Sequence, residues 1–129
     1  MSITFTSKKN YLKRDSATGS TVVSAPSSVA GYGGGFIKAR THTVSHGLGY
    51  IPQVRVYFEN SDTDGRLYPA GGRRLGVDYV GLDPFGGGDL WCLYEVSDTT
   101  LTIYLECDSF FSPTGTRRLY WVIYKDSPL

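Results

Sequence analysis

Apolar and polar positions alternate with a period of two over most of the chain beyond residue 36, the pattern of extended strands with one buried face. In "QVRVYFEN" it sets Val54, Val56 and Phe58 against Gln53, Arg55, Tyr57 and Glu59. "FIKARTHTV" sets Ile37, Ala39, Thr41 and Thr43 against Phe36, Lys38, Arg40, His42 and Val44, a one-sided and only modestly apolar strand. "LWCLYEV" and "LTIYLEC", separated by Ser97-Asp98-Thr99-Thr100, predict a hairpin of 90–96 with 101–107. If Val96 faces Leu101, Cys92 opposes Leu105 and Cys107 opposes Leu90. Leu90, Cys92, Tyr94 and Val96 then share a core face with Leu101, Ile103, Leu105 and Cys107, while Trp91, Leu93, Glu95, Thr102, Tyr104 and Glu106 share an amphipathic one. "RRLYWVIYKD" is apolar on both faces, as a central strand is. A further strand is expected around Val77 to Val80, and nothing reads as a helix. Roughly six to eight strands with turn residues between them predict an all-β fold, an antiparallel β-sandwich or small barrel.

"SHGLGYIP", residues 45–52, joins two of these strands. Gly47 and Gly49 permit a tight reversal, and Pro52, which has no N–H to give a ladder, opens the next strand at its edge. Leu48 and Ile51 are expected to tuck beneath the turn, and His46 to hydrogen-bond within it, making a structural corner of His46, Gly47, Leu48, Gly49 and Pro52.

The front of the chain reads differently. Ile3-Thr4-Phe5-Thr6 could form a short strand and Thr21-Val22-Val23 could pair briefly, but polar, basic and glycine-rich sequence dominates up to Gly33-Gly34-Gly35. Residues 1–35 are therefore expected to be an extended N-terminal arm and Gly-rich linker, with the β-sandwich domain at 36–129. Charge sharpens that division. The first 40 residues carry six basic side chains against Asp15, a net of +5, and the remainder seven basic against eleven acidic, a net of −4. Lys8, Lys9, Lys13 and Arg14 are the expected docking residues of an arm that seats on an acidic neighbour.

Among 129 residues there are sixteen Gly and ten Tyr but a single Met, which fits one turn-rich β-domain. No long apolar run suggests a membrane span, and residues 1–24 lack the layout of a secretory signal, so synthesis in a cytoplasm is expected. Cys92 and Cys107 would be diagonal neighbours on one face, beyond the usual reach of a disulfide, and are expected to be buried thiols.

"HTVSHGLGYIPQVRVYF" resembles the strand, His-Gly-Leu-Gly-x-x-Pro corner and strand of small β-sandwich modules of tailed-bacteriophage virion proteins, among them tail-fibre, tail-tip and head-decoration components. "LYWVIYKD" is similar to the aromatic strand that closes such modules. The resemblance spans about Phe36 to Asp126 and leaves the arm unmatched. It implies a non-enzymatic structural or attachment role in the virion, assembled in the host cytoplasm, as a homo-oligomer (trimer or higher) among other virion structural proteins.

The residues themselves offer little other chemistry. His42 and His46 lie two steps apart on one side of a strand with no Cys or carboxylate to complete a set, so no metal is expected and His42 is read as facing solvent. "NSDTDG" begins like a calcium loop, but the Glu required at its twelfth position is Gly71, and Asp64-Gly65 is better read as a hairpin turn. "GYGGGF" and "PFGGGD" lack the ending of a phosphate loop, and no GxSxG occurs. Neither catalytic residues nor a cofactor are expected. Arg73-Arg74 and Arg117-Arg118 lack aromatic interleaving, which argues against a nucleic-acid partner.

The aromatic residues exceed what one small core needs, and surplus Tyr and Trp favour interfaces. The alternative use is a platform for a host surface glycan, making the chain a receptor-recognition module of a tail fibre. Asn60, Asp62, Tyr68, Asp83, Asp89, Trp91 and Tyr104 are the expected glycan or interface contacts.

Overall fold

The structure, a computed structural model, describes residues 16–60, 65–72 and 90–128. Its strands are β1 (Ser16–Ser24), β2 (Ile37–Ser45), β3 (Pro52–Phe58), β4 (Tyr68–Pro69), β5 (Gly71–Gly72), β6 (Leu90–Val96), β7 (Thr100–Asp108) and β8 (Thr116–Pro128), with one 3-10 turn at Gly33–Gly35. They form two open sheets, sheet A in the order β1-β8-β3-β4 and sheet B in the order β2-β7-β6-β5. Every pairing is antiparallel except that of the two-residue β5 with β6. Because neither sheet closes on itself, the fold is a β-sandwich rather than a barrel. The strand expected around Val77 to Val80 lies outside the described residues.

The hairpin register follows the alternation. Val96 faces Leu101, Cys92 faces Leu105 and Leu90 faces Cys107. Their shared face meets Val56, Phe58, Leu119, Trp121 and Ile123 of sheet A to make the core, and both cysteines are buried free thiols. β8 is central, with β1 on one side and β3 on the other; it turns Leu119, Trp121 and Ile123 into the core and Tyr120, Val122 and Tyr124 outward.

The expected boundary of the arm moves. Ser16–Ser24 is not part of an extended arm but pairs with β8 over its whole length, Ser16 with Tyr124 through Ser24 with Thr116. The inward positions of β1 are Ala17, Gly19, Thr21 and Val23, too small to give an apolar alternation, yet they are what a central strand needs beside it. Gly19 lies opposite Trp121, and a Cβ at Gly19 would fall 2.7 Å from the indole Nε1 and closer still to Cζ2 and Cε2. The indole thus packs directly over the β1 backbone, and only glycine leaves it room.

After β1 the chain changes sheets. Ala25 N–H donates to Gly115 O at 3.0 Å, then Val29 bridges Lys38 and Ala30 N–H donates to Ile37 O at 2.8 Å. This strap, residues 25–36, follows the outer edge of β2 and covers Ile37 from outside, which the linker reading did not foresee.

β2 also faces otherwise than expected. Lys38, Arg40, His42 and Val44 stand opposite Cys107, Leu105, Ile103 and Leu101, so they point between the sheets. His42 does not face solvent; its ring packs on Trp121 with centroids 5.4 Å apart. Lys38 and Arg40 reach back out along apolar surface, Lys38 Nζ donating to Phe111 O at 2.9 Å and Arg40 Nε to Ser24 O at 3.2 Å.

Candidate functional site

The corner is built as its residues require. Gly47 and Gly49 have φ of +62° and +81°, the left-handed region that glycine enters without strain. Leu48 N–H donates to His46 Nδ1 at 3.1 Å, which places the ring proton on Nε2, where it donates to Ser97 O at 2.8 Å. His46 N–H and Gly47 N–H both donate to Thr99 O, and Gly49 N–H to Asp98 O. The corner therefore carries the chain from sheet B to sheet A while clamped to the β6–β7 turn. Leu48 packs against the core, Pro52 is buried at the start of β3, and Ile51, expected to tuck inside, is 44% exposed. The His46 ring and the N–H groups of His46, Gly47, Leu48 and Gly49 are all engaged in the turn.

Of the expected glycan or interface contacts, Asp62, Asp83 and Asp89 lie outside the described residues, as do the arm residues Lys8, Lys9, Lys13 and Arg14. Asn60 is a loop anchor: its Oδ1 accepts Leu90 N–H at 2.9 Å and its carbonyl accepts Arg117 Nε–H at 3.2 Å. Tyr68 packs against the core beside Phe58, with ring centroids 6.2 Å apart. Neither is posed as a free ligand contact.

Trp91 and Tyr104 do come together, on the outer face of sheet B. Trp91 stands opposite Glu106, and Tyr104 opposite Leu93. Glu106 is fully buried although it points away from the core, because the strap lays Tyr32 over it. Trp91 Nε1–H donates to Glu106 Oε1 at 2.8 Å, and the Tyr32 hydroxyl donates to Oε2. Tyr104 donates its hydroxyl to Glu95 and meets the Tyr32 ring edge-on at 6.2 Å. This cluster fastens residues 25–36 to the sheet, and its aromatic tips are engaged within the molecule.

A half-buried aromatic surface lies instead on the outer face of sheet A. Period-two parity puts Tyr120, Val122 and Tyr124 of β8 beside Tyr57, Arg55 and Gln53 of β3, with Ser20, Thr18 and Ser16 of β1 on the other flank. The Tyr57 and Tyr120 rings lie 6.1 Å apart at 45°. The pKa of Arg55 is raised above its ordinary value, first by a side-chain hydrogen bond with Tyr57 and then by electrostatic interaction with Tyr124 and Tyr57. "QVRVYF" and "LYWVIY" already carry this arrangement in their alternation, since every second residue must face away from the core.

Among the described residues no three His, Cys, Asp or Glu side chains gather as a metal set requires. No described helix is long and apolar enough to cross a membrane. The thiols are held neutral. Burial pushes the Cys92 pKa up, with the Glu106 charge adding to it, and burial likewise lifts Cys107 to about 11 from the ordinary 9.0, against a lowering by Lys38. An unfolded thiol ionises above about pH 9 while the folded one stays protonated, so stability is whole below pH 9 and falls as pH climbs towards 11. The slope should reach up to about 1.4 kcal/mol per pH unit for each thiol. Urea midpoints measured from pH 8 to 11 should fall more steeply for the native sequence than for a Cys92→Ala/Cys107→Ala variant; parallel lines would contradict it.

Comparison with protein-family models, with curated proteins and with solved structures finds no match.

Proposed function

We propose that this chain is a non-enzymatic structural protein of a bacteriophage virion, a tail or head-attached component that oligomerises and docks on the particle through its basic N-terminal residues. The observation that carries the reading is the outer face of sheet A, where Tyr57, Tyr120 and Tyr124 stand around Arg55. Tyr and Arg are the residue types enriched where proteins meet, because they bury large area at small rotamer cost and keep a polar tip for pairing. The resemblance of the His46–Pro52 corner and its flanking strands to virion β-sandwich modules supplies the setting. Exposed Phe36 and Phe110, at the start of β2 and just past the end of β7, add a second apolar surface of the kind an assembly covers.

The test is compositional. Purified particles from cells expressing the gene should contain the chain in a fixed copy number, and particles made without it should lack a defined density in electron micrographs. Its absence from particles that form and infect normally would end the reading.

A second reading, a host-glycan recognition module of a tail fibre, is favoured by one feature: the Tyr57–Tyr120 ring pair has Arg55 and the Ser20 hydroxyl close by in the sheet register, as a sugar face and its hydroxyls would need. Titration with host surface polysaccharide should then quench tyrosine fluorescence in the native protein and not in Tyr57→Ala/Tyr120→Ala. A flat titration would leave the structural role alone.

A further inference from the structure

We propose that β1 is a self-pairing edge: two copies join β1 to β1, antiparallel about a two-fold axis, so that sheet A continues from one copy into the other. The proposal rests on the assembly reading above and names the surface that would serve it.

Among the described residues the two sheets present four edges, and three are blunted. β4 and β5 are two residues long each. The edge of β2 is followed by the strap through the Val29–Lys38 bridge, and the basic side chains of Lys38 and Arg40 bond across to Phe111 and Ser24. Strap, shortness and charge are the usual defences of an edge. Among the described residues β1 lacks them over 16–23; only the carbonyl of Ser24, at its end, is taken by a charged side chain, through Arg40 Nε–H. It runs nine residues, Ser16–Ser24, in unbroken register with β8, and contains no charge and no proline. Among the described residues β8 is its one sheet neighbour.

The edge is also complementary to itself. A two-fold axis at Ser20 sets Ser16 against Ser24, Thr18 against Val22 and Ser20 against its own copy on the outer face, with Ala17 against Val23 and Gly19 against Thr21 on the inner one. The outer-face pairs join hydroxyl and β-branched residues, which favour antiparallel pairing, and no pair places like charges together. Val22, 63% exposed in the single chain, would be covered by Thr18 of the second copy. One strand edge is a narrow contact, at or below the roughly 1,200 Å² where stable interfaces begin. The pair should therefore form in the micromolar range, and a larger virion assembly would use it as a repeating unit.

Analytical ultracentrifugation of the full chain, from micromolar to several hundred micromolar, should show a shift from the 14.2 kDa monomer to twice that mass. Thr18→Lys/Val22→Lys places like charges on two rungs and should be monomeric throughout, as should Thr18→Glu/Val22→Glu, while their mixture should sediment as a heterodimer. Both positions face outward, so circular dichroism should show an unchanged fold. For the unaltered chain, hydrogen exchange should slow at β1 amides as concentration rises and stay constant along β2. That measurement decides the matter even if the variants misfold. An oligomer that persists in both charged variants, without concentration-dependent protection in β1, overturns the edge but leaves the assembly reading standing. A monomer at every concentration overturns the pairing, and absence from particles overturns the assembly reading separately.

Discussion

Replacing Gly19 by alanine is expected to destabilise the protein by about 1–3 kcal/mol, a large effect for one methyl group on an edge strand. The cause is the indole of Trp121, which occupies the space where that methyl would go. Trp121 has little room to retreat, since the His42 ring packs on it with centroids 5.4 Å apart and Val56 stands beside it on β3. The change also lowers unfolded-state entropy, which alone would stabilise by roughly 0.4–1 kcal/mol, so a net loss reports the clash directly. Trp121→Ala should cost about 3–5 kcal/mol through the cavity it leaves in the core. The two changes should not add. With the indole gone the new methyl meets open space, so the double variant should be no less stable than Trp121→Ala alone, a coupling that urea unfolding of all four proteins would measure. A neutral Gly19→Ala, or additive losses, would mean that β1 does not pack on Trp121 as described.

Glu106→Leu is the second large effect, expected at about 3–5 kcal/mol even though leucine suits a buried site by size. The loss comes from two donors left behind: Trp91 Nε1–H and the Tyr32 hydroxyl both give their protons to this carboxylate. A hydrogen bond to a charged group is worth roughly 1.5–3 kcal/mol, so Tyr32→Phe, which removes one donor and leaves the carboxylate bonded to Trp91, should cost about that much. The two variants differ in their optical signature as well. Glu106→Leu should alter the emission of Trp91, whereas Tyr32→Phe should leave it nearly unchanged. Both should make residues 25–36 more open to limited proteolysis, because Tyr32 fastens the strap over sheet B beyond its backbone bonds to β2. A strap that resists protease in Glu106→Leu, with stability intact, would show that the cluster does not hold it.

These two clusters also mark where reading the chain in order reaches its end. The β6–β7 pairing could be counted out residue by residue because both strands lie within 19 positions of each other and the intervening turn sets the register. The corner was equally plain, since positive φ at Gly47 and Gly49 and a missing N–H at Pro52 are properties of those residues alone. β1 was hidden because Ala17, Gly19, Thr21 and Val23 contribute little apolar bulk; their worth appears only against Trp121, about a hundred positions away. β2 was misjudged for a related reason. Its inward positions are Lys38, Arg40, His42 and Val44, three of them polar, while its outward face is buried at Ile37 and exposed at Thr41, Thr43 and Ser45, so apolar alternation does not mark which face meets the core. Among the candidate contacts, Trp91 and Tyr104 were correctly placed on one face, but the same face holds Tyr32, so what looked like surplus aromatic surface is partly an internal fastening.

Side-chain alternation and turn chemistry operate over a handful of neighbouring residues, and they were enough to specify an all-β chain, a hairpin in register, a central final strand and a rigid corner. Which strands stand at the edges, what lies over each outer face and which polar groups are sealed from water depend on partners such as Tyr32 and Glu106, 74 positions apart. Those pairings are selected by the summed burial of the whole sandwich, a free energy that no local stretch contains.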